Sequence, residues 1–331
     1  MPRNHFRIAI AVLATAFTAG MAATAFAQPA PADTFPSRPV RIVVPFTTGG
    51  PTDFLARLIG QKLSELWNQP VLVDNKPGAG ANIGTDAVAK AAADGYTIGI
   101  VSSAYTINPS LYSKLPFDTL KDLSGVTQIV SSAMVLVAHP SIPANNVDEL
   151  IALARLKPGQ LTYASVGTGS GLHLTGEMFK SATRTDLLHV PYKGTSQAHV
   201  DLLAGRVALM FAHVSSVLQH LKSGKLKALA VLDSKRNPVL PDIPAMAETV
   251  PGVEASGMFG IVTAADTPRE RVRKLNADIV KVLNTPELKD KIGGMGGETL
   301  IGSTPEQFDS YLRSEIRKWA KAVKDSGATA D

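Results

Sequence analysis

The sequence predicts an α/β protein made of two lobes, and three observations predict it. Short β-branched runs alternate with helically spaced apolar segments early in the chain, the pattern of a parallel sheet with helices on its faces. The same alternation resumes in a second block beyond residue 146, with no internal sequence repeat. Apolar residues make up 45% of 331 positions, enough for one large core or two ordinary ones, which excludes an intrinsically disordered chain.

Each element follows from local pattern. Val40–Val44 is a β-branched run and reads as a buried strand. Residues 53–67 switch to helical spacing, with Leu55, Ile59, Leu63 and Leu66 on one face. Residues 71–73 read as a strand, 85–93 as an Ala-rich helix and 97–101 as a third strand. In the second block, residues 147–156, 172–181, 197–204 and 217–221 read as helices. Residues 161–164, 187–190, 207–211 and 226–231 read as strands between them. The C-terminal part is helical. Thr267, Pro268 and Glu270 read as a capping box with proline at the first helical position. Thr285-Pro286 opens another helix and Thr304-Pro305 a third, with Phe308, Tyr311, Leu312, Trp319 and Val323 spaced as a core-facing stripe.

The first 27 residues read as an export signal. Arg3 and Arg7 precede an apolar stretch over residues 8–17, and Ala25-Phe26-Ala27 supplies a small-x-small cleavage site. A membrane anchor is the competing reading, since residues 8–27 are just long enough to span. Their Ala/Thr content and Gly20 weigh against it. The mature chain is expected to begin at Gln28, exported, periplasmic and soluble. Residues 28–37 form a Pro/Ala-rich extended lead-in. The sequence contains no cysteine, which excludes disulfide scaffolds, thiol nucleophiles, thiolate metal sites and a lipid-anchored N-terminus. With 18% charged residues, a net charge of +5, 6% aromatics and no run of Lys/Arg, nothing resembles a nucleic-acid footprint.

Four loops after predicted strands are rich in Gly, Ser and Thr: residues 46–53, 102–106, 165–171 and 192–196. In open α/β sheets ligands bind outside the carboxyl ends of strands. Helix N-termini there offer unpaired N–H groups and a partial positive charge. Phe46, Thr47, Thr48, Gly49, Gly50, Ser103, Gly167, Thr168, Gly169, Ser170, Gly194 and Thr195 are therefore candidate anion contacts. Taken singly, each loop is better explained as turn and cap chemistry; four at equivalent positions shift the reading modestly towards an anion site. Asp53 opens the first helix, where a carboxylate complements the helix dipole. Tyr105 sits in the second loop. His173 lies just inside the helix after the Gly-rich loop, as a packed or capping histidine or as a cleft residue. Lys193 is the one basic residue in these loops, a solvated turn lysine or a ligand partner.

Catalytic and cofactor signals are poor. Residues 78–84 carry glycines like a dinucleotide fingerprint, but the next strand runs into Ser102-Ser103 instead of an acid, and Pro77 interrupts the approach. The P-loop pattern is absent. Ser170 is not in a G-x-S-x-G context, and the histidines show no zinc spacing. No cofactor, metal or catalytic residue is expected.

An ordered series of short motifs carries a family. These are residues 45–53 (PFTTGGPTD), 75–80 (NKPGAG) with Asn82-Ile83-Gly84, Asp94-Gly95-Tyr96, residues 190–194 (VPYKG) and residues 240–244 (LPDIP). The series closely resembles the Bug-type solute receptors of tripartite tricarboxylate transporters, over essentially the whole mature chain. The resemblance implies a type II periplasmic-binding-protein fold, two α/β lobes joined by two crossing strands around a ligand cleft. It places the crossings near residues 135–139 and 256–262. Lobe one is then discontinuous, residues 38–137 and 256–331, and lobe two is residues 138–255. It further implies a monomer that holds a small organic mono- or dicarboxylate, mainly through the first loop and the Gly-rich loop, and delivers it to membrane transporter subunits. Two departures bear on the ligand. Ala208 and Ala212, in the stretch that ends at His213, stand where the family often has acids, and Met258 stands where an aromatic is frequent. Missing acids disfavour amino-bearing ligands, and a flexible methionine accommodates a larger body; drift without ligand consequence explains both equally well.

Two other functions fit the same sequence. An exported enzyme acting on a small carboxylate would use Ser170 or His173 and needs an aligned nucleophile–base pair. A ligand-presenting subunit of a signalling system would use the same cleft.

Overall fold

The computed structural model describes residues 35–330, and the chain from Pro36 onward forms one compact unit. The expected leader, residues 1–27, and the lead-in up to residue 34 lie outside the described residues.

The first half alternates strand and helix as expected. Strand β1 (Val40–Val44) leads into α1 (Pro51–Trp67), then β2 (Val71–Asn75), α2 (Asn82–Ala89), β3 (Thr97–Ser102) and α3 (Ala104–Leu111). Helix α1 starts two residues earlier than its apolar spacing indicates, with Pro51 at its first position after an extended Gly50, and it stops at Asn68 in the left-handed conformation. Leu55, Ile59 and Leu63 are buried, whereas Leu66, in the last turn, is 37% exposed. Helix α3 falls where a loop is expected. Pro109 sits inside it and removes one backbone donor, so the segment lacks an ordinary helix signature.

Next come β4 (Leu123–Ala138), α4 (Val147–Leu156), β5 (Thr162–Ser165), α5 (Gly171–Thr183), β6 (Leu188–Pro191) and α6 (Thr195–Leu203). They are followed by β7 (Leu209–His213), α7 (Val214–Lys222) and β8 (Lys227–Val231). The chain closes with β9 (Ser256–Ala264), α8 (Arg269–Leu283), α9 (Pro286–Gly293), β10 (Glu298–Leu300) and α10 (Pro305–Ser326). The capping box at Thr304 is present, its hydroxyl accepting from Gln307 N–H and the Gln307 side chain accepting from Thr304 N–H. The one expected at Thr267 is not. Pro268 is the N-cap of α8, and the buried Thr267 hydroxyl pairs with Thr263 instead.

The sheet runs β2-β1-β3-β9-β4-β7-β5-β6. Strands β1, β2 and β3 are parallel, as are β5, β6 and β7, which fits their helical crossovers. The sixteen-residue β4 belongs to both halves. It pairs antiparallel with β9 from Leu123 to Ala133, then with β7 from Met134 and with β8 from Val135. Helix α10 is shared as well. Its Phe308 and Leu312 pack in an apolar cluster with Val43, Val101 and Met258, while Trp319, Ala322 and Val323 enter the cluster built on Leu136, Phe179 and Phe211.

Candidate functional site

Four helices begin at one cavity of about 600 Å³. Pro51, Ala104, Gly171 and Thr195, the first residues of α1, α3, α5 and α6, all line it. Each of these helices follows a parallel strand, so the four N-termini gather at the carboxyl ends of β1, β3, β5 and β6. The first N–H groups of a helix have no partner within it, so the cavity wall carries converging donors and partial positive charge.

In the first loop Phe46, Thr47 and Gly50 line the cavity, while Thr48 and Gly49 are exposed outside the lining. Asp53 is buried and does not line it. Its carboxylate accepts hydrogen bonds from Arg57 Nε (3.0 Å), Gly49 N–H (3.0 Å) and Asn75 Nδ2 (2.9 Å). The Arg57 guanidinium is the main reason its carboxyl is held down to about 2. Asn75 also donates to the Phe46 carbonyl at 3.1 Å. Asp53 thus shapes the loop from behind.

Ser103 lines the cavity and its hydroxyl accepts the Met258 N–H at 3.1 Å, joining two of the expected site residues. Met258 lines it too. Tyr105 points elsewhere. Its hydroxyl donates to the Thr119 carbonyl at 2.6 Å in the core, and burial pushes the phenol far above its usual range.

In the Gly-rich loop Thr168, Gly169 and Ser170 line the cavity and Gly167 does not. The Gly167 carbonyl accepts from the Ser170 hydroxyl (2.7 Å) and the Ser165 hydroxyl (3.1 Å). Gly169 has φ +78°, and a Cβ there would meet Leu111 Cδ2 at 2.5 Å, so the position demands glycine twice over. His173 lies behind the loop. Its Nδ1 accepts the Gly169 N–H at 3.1 Å, and its ring packs 4.1 Å from that of His189. His189 Nε2 in turn is 2.6 Å from the Ser165 hydroxyl. Burial holds both imidazoles below their ordinary range, His189 to about 4.

Thr195 lines the cavity, whereas Lys193 is exposed and, with Gly194, stands outside the lining. Ala212 is fully buried in β7 opposite Val135. His213 does line the cavity. Its Nδ1 lies 3.2 Å from Ser132 Oγ, which donates to Glu298 Oε2 at 3.1 Å, and burial lowers the imidazole to about 4. Sequence reasoning missed Leu111, Tyr112, Leu172, Trp319 and Ala330, which also line the wall together with residues such as Ile107, Asn108, Met134 and Phe259. Trp319 had a signal, helical spacing, but that spacing reads as core. Among the described residues no cluster of three or more metal-ligating side chains is present, and no helix is long and apolar enough to cross a membrane.

The model of the tripartite tricarboxylate transporter family receptor matches residues 55–328. The chain belongs to this receptor family. Protein BugT of Bordetella pertussis is 38% identical to it over 314 residues, 94% of each chain. The solved structure of R. palustris Rpa4515 with adipate is 35% identical, with a TM-score of 0.77 over 89% of this chain and 99% of that one. The structure of the periplasmic binding protein BugD is 34% identical, with a TM-score of 0.74 over 89% and 99%. The receptor fold, two α/β halves around a cleft, is therefore the one the motif series implies.

Proposed function

We propose that this receptor captures a small organic carboxylate in the periplasm and delivers it to membrane subunits of a tripartite tricarboxylate-type transporter, working as a monomer and without chemistry on its ligand. The observation that carries the reading is the convergence of four helix N-termini on one cavity whose lining, among the described residues, contains no Asp, Glu, Lys or Arg. Such a site favours an anion through oriented dipoles. The relative with adipate binds a carboxylate on the same fold. In our reading the contacts come from Phe46, Thr47, Gly50, Thr168, Gly169 and Thr195, and the lobes are residues 38–137 with 256–331, and residues 138–255. The partner switch within β4 supports that division. An enzymatic role for Ser170 or His173 is not favoured. The Ser170 hydroxyl donates to a carbonyl, and His173 Nδ1 is occupied by a backbone N–H.

The test is a thermal-shift screen of the mature chain against mono-, di- and tricarboxylates. A ligand at a hundredfold excess over its Kd adds about 2.7 kcal/mol of stability. A folded protein that none of them stabilises would overturn the reading. Delivery is tested by uptake with the membrane subunits present, with and without the receptor.

A further inference from the structure

We propose that His213 is a specificity-determining residue: its Nε2 presents a lone pair to the cavity and selects a carboxylate that carries a hydroxyl on its body. This rests on reading the cavity as a carboxylate site. The tautomer follows from what lies behind the ring. Ser132 Oγ is 3.2 Å from His213 Nδ1 and 3.1 Å from Glu298 Oε2. A serine hydroxyl has one proton, and a carboxylate only accepts. The proton therefore goes to Glu298, and Ser132 Oγ must accept from Nδ1–H. Ser215 also hydrogen-bonds Glu298, and the two hydroxyls favour its charged form against the burial that raises it. Burial lowers the His213 imidazole to about 4, so the ring is neutral at pH 7. A neutral ring protonated on Nδ1 carries its lone pair on Nε2.

Nε2 is left for the ligand. His213 lines the cavity, and among the described residues its Nε2 has no hydrogen-bond partner and is not sealed off by protein. Gly257, also in the lining, keeps room for the ring, since a Cβ there would meet His213 Cε1 at 2.6 Å. Asn108 adds a second acceptor to the same wall. Its Nδ2 donates to the Gly80 carbonyl (2.7 Å) and to Asn82 Oδ1 (2.8 Å), which leaves its oxygen. The helix N-termini supply donors for carboxylate oxygens. A carboxylate oxygen set against the Nε2 lone pair finds no proton between the two, whereas a hydroxyl brings one. A site built to bond a hydroxyl discriminates against the analogue that lacks it, because its own polar group is then left buried and unpaired.

The first experiment needs no ligand. Long-range 1H–15N spectra of the mature chain at pH 7, with the ring assigned by His213→Gln, should show His213 protonated on Nδ1 and bare on Nε2; an Nε2–H ring overturns the proposal. The second is calorimetric titration with three matched pairs, malate and succinate, lactate and propanoate, citrate and tricarballylate, and with methoxysuccinate, whose ether oxygen has no proton to give. We expect the hydroxylated member of at least one pair to bind at least tenfold tighter than its partner, and methoxysuccinate to gain nothing over succinate. In His213→Phe the hydroxyl advantage should fall below threefold. An advantage under tenfold in every pair, a gain from the methoxy group equal to that from the hydroxyl, or an advantage that stays above threefold in His213→Phe overturns the role of His213 and leaves the carboxylate receptor standing. Should the phenylalanine variant fail to fold, the spectra and the methoxy comparison decide. No binding by any carboxylate to a cooperatively folded protein removes the receptor reading and this one with it.

Discussion

His173 accepts, through Nδ1, the backbone N–H of Gly169 at 3.1 Å, four residues before it in the chain. A buried N–H that loses its acceptor costs about 1–3 kcal/mol. His173→Phe should therefore lower stability by that amount and slacken the loop, weakening ligand binding about tenfold. Urea titration and calorimetry check both. A variant with wild-type midpoint and affinity would mean that the bond does not hold the loop.

Gly50 gives a cleaner test of the backbone approach. A Cβ at this position would have only the Thr47 carbonyl oxygen near it, at 3.9 Å. Gly50→Val should leave the melting temperature nearly unchanged while weakening binding at least a hundredfold, because the branched side chain occupies the space the ligand needs. Lys193→Ala, at an exposed residue outside the lining, should change affinity less than threefold. If the lysine variant is the severe one, a charge-paired site replaces the dipole account.

Ser170 caps α5, its oxygen accepting the His173 N–H at 3.3 Å while its hydroxyl donates to Gly167 O. Ser170→Ala should cost about 1 kcal/mol through the lost cap, roughly 2–4 °C in melting temperature for a chain of this size. Binding should weaken together with it, by about tenfold, because the same two bonds fix the loop. Calorimetric scans and ligand titrations of the one variant read both effects, and a loss of binding with no loss of stability would place the hydroxyl on the ligand instead.

Acid should weaken the fold well above the range where Asp53 titrates. His189 and His213 are held to about 4 in the folded protein, against 6.5 for the free group. Between those values the unfolded chain binds more protons, so stability falls as pH drops from about 6.5 to about 4. Glu298, beside Ser132, opposes this, because burial raises its carboxyl and protonation relieves it. Urea midpoints should fall from pH 7 to pH 5, and His213→Gln should flatten that slope. A midpoint independent of pH over this range would contradict the buried neutral rings.

How far the sequence could be read depended on where the signal lies. The loops at Phe46–Gly50 and Thr168–Ser170 were legible because a site built on backbone donors needs small residues after strand ends, and composition records that. Helix α3 was not, because Pro109 and its Ser/Thr neighbours break the helical pattern, and Leu111 and Tyr112 were missed with it. Tyr105 looked like a loop residue for the same reason and is core. Trp319 has the spacing of a core residue and is one; that the cavity reaches it depends on a segment two hundred positions away. The run of β4 through both halves was hidden by Gly125, Ser131 and Ser132, which spoil any alternation.

Strand β4 has a consequence for how the molecule can be taken apart. Because its partner changes between Ala133 and Met134 without leaving the strand, there is no linker to cut between the halves. A fragment ending there would leave β3 and the first part of β4 without β9, and one beginning there would carry β9 stripped of both neighbours, each an invitation to pair with a stray strand. Helix α10, anchored in both apolar clusters, would go with the second fragment and lose the Val43 and Val101 side of its packing. Denaturation should accordingly be a single cooperative event, and the halves should be recoverable only by refolding the whole chain.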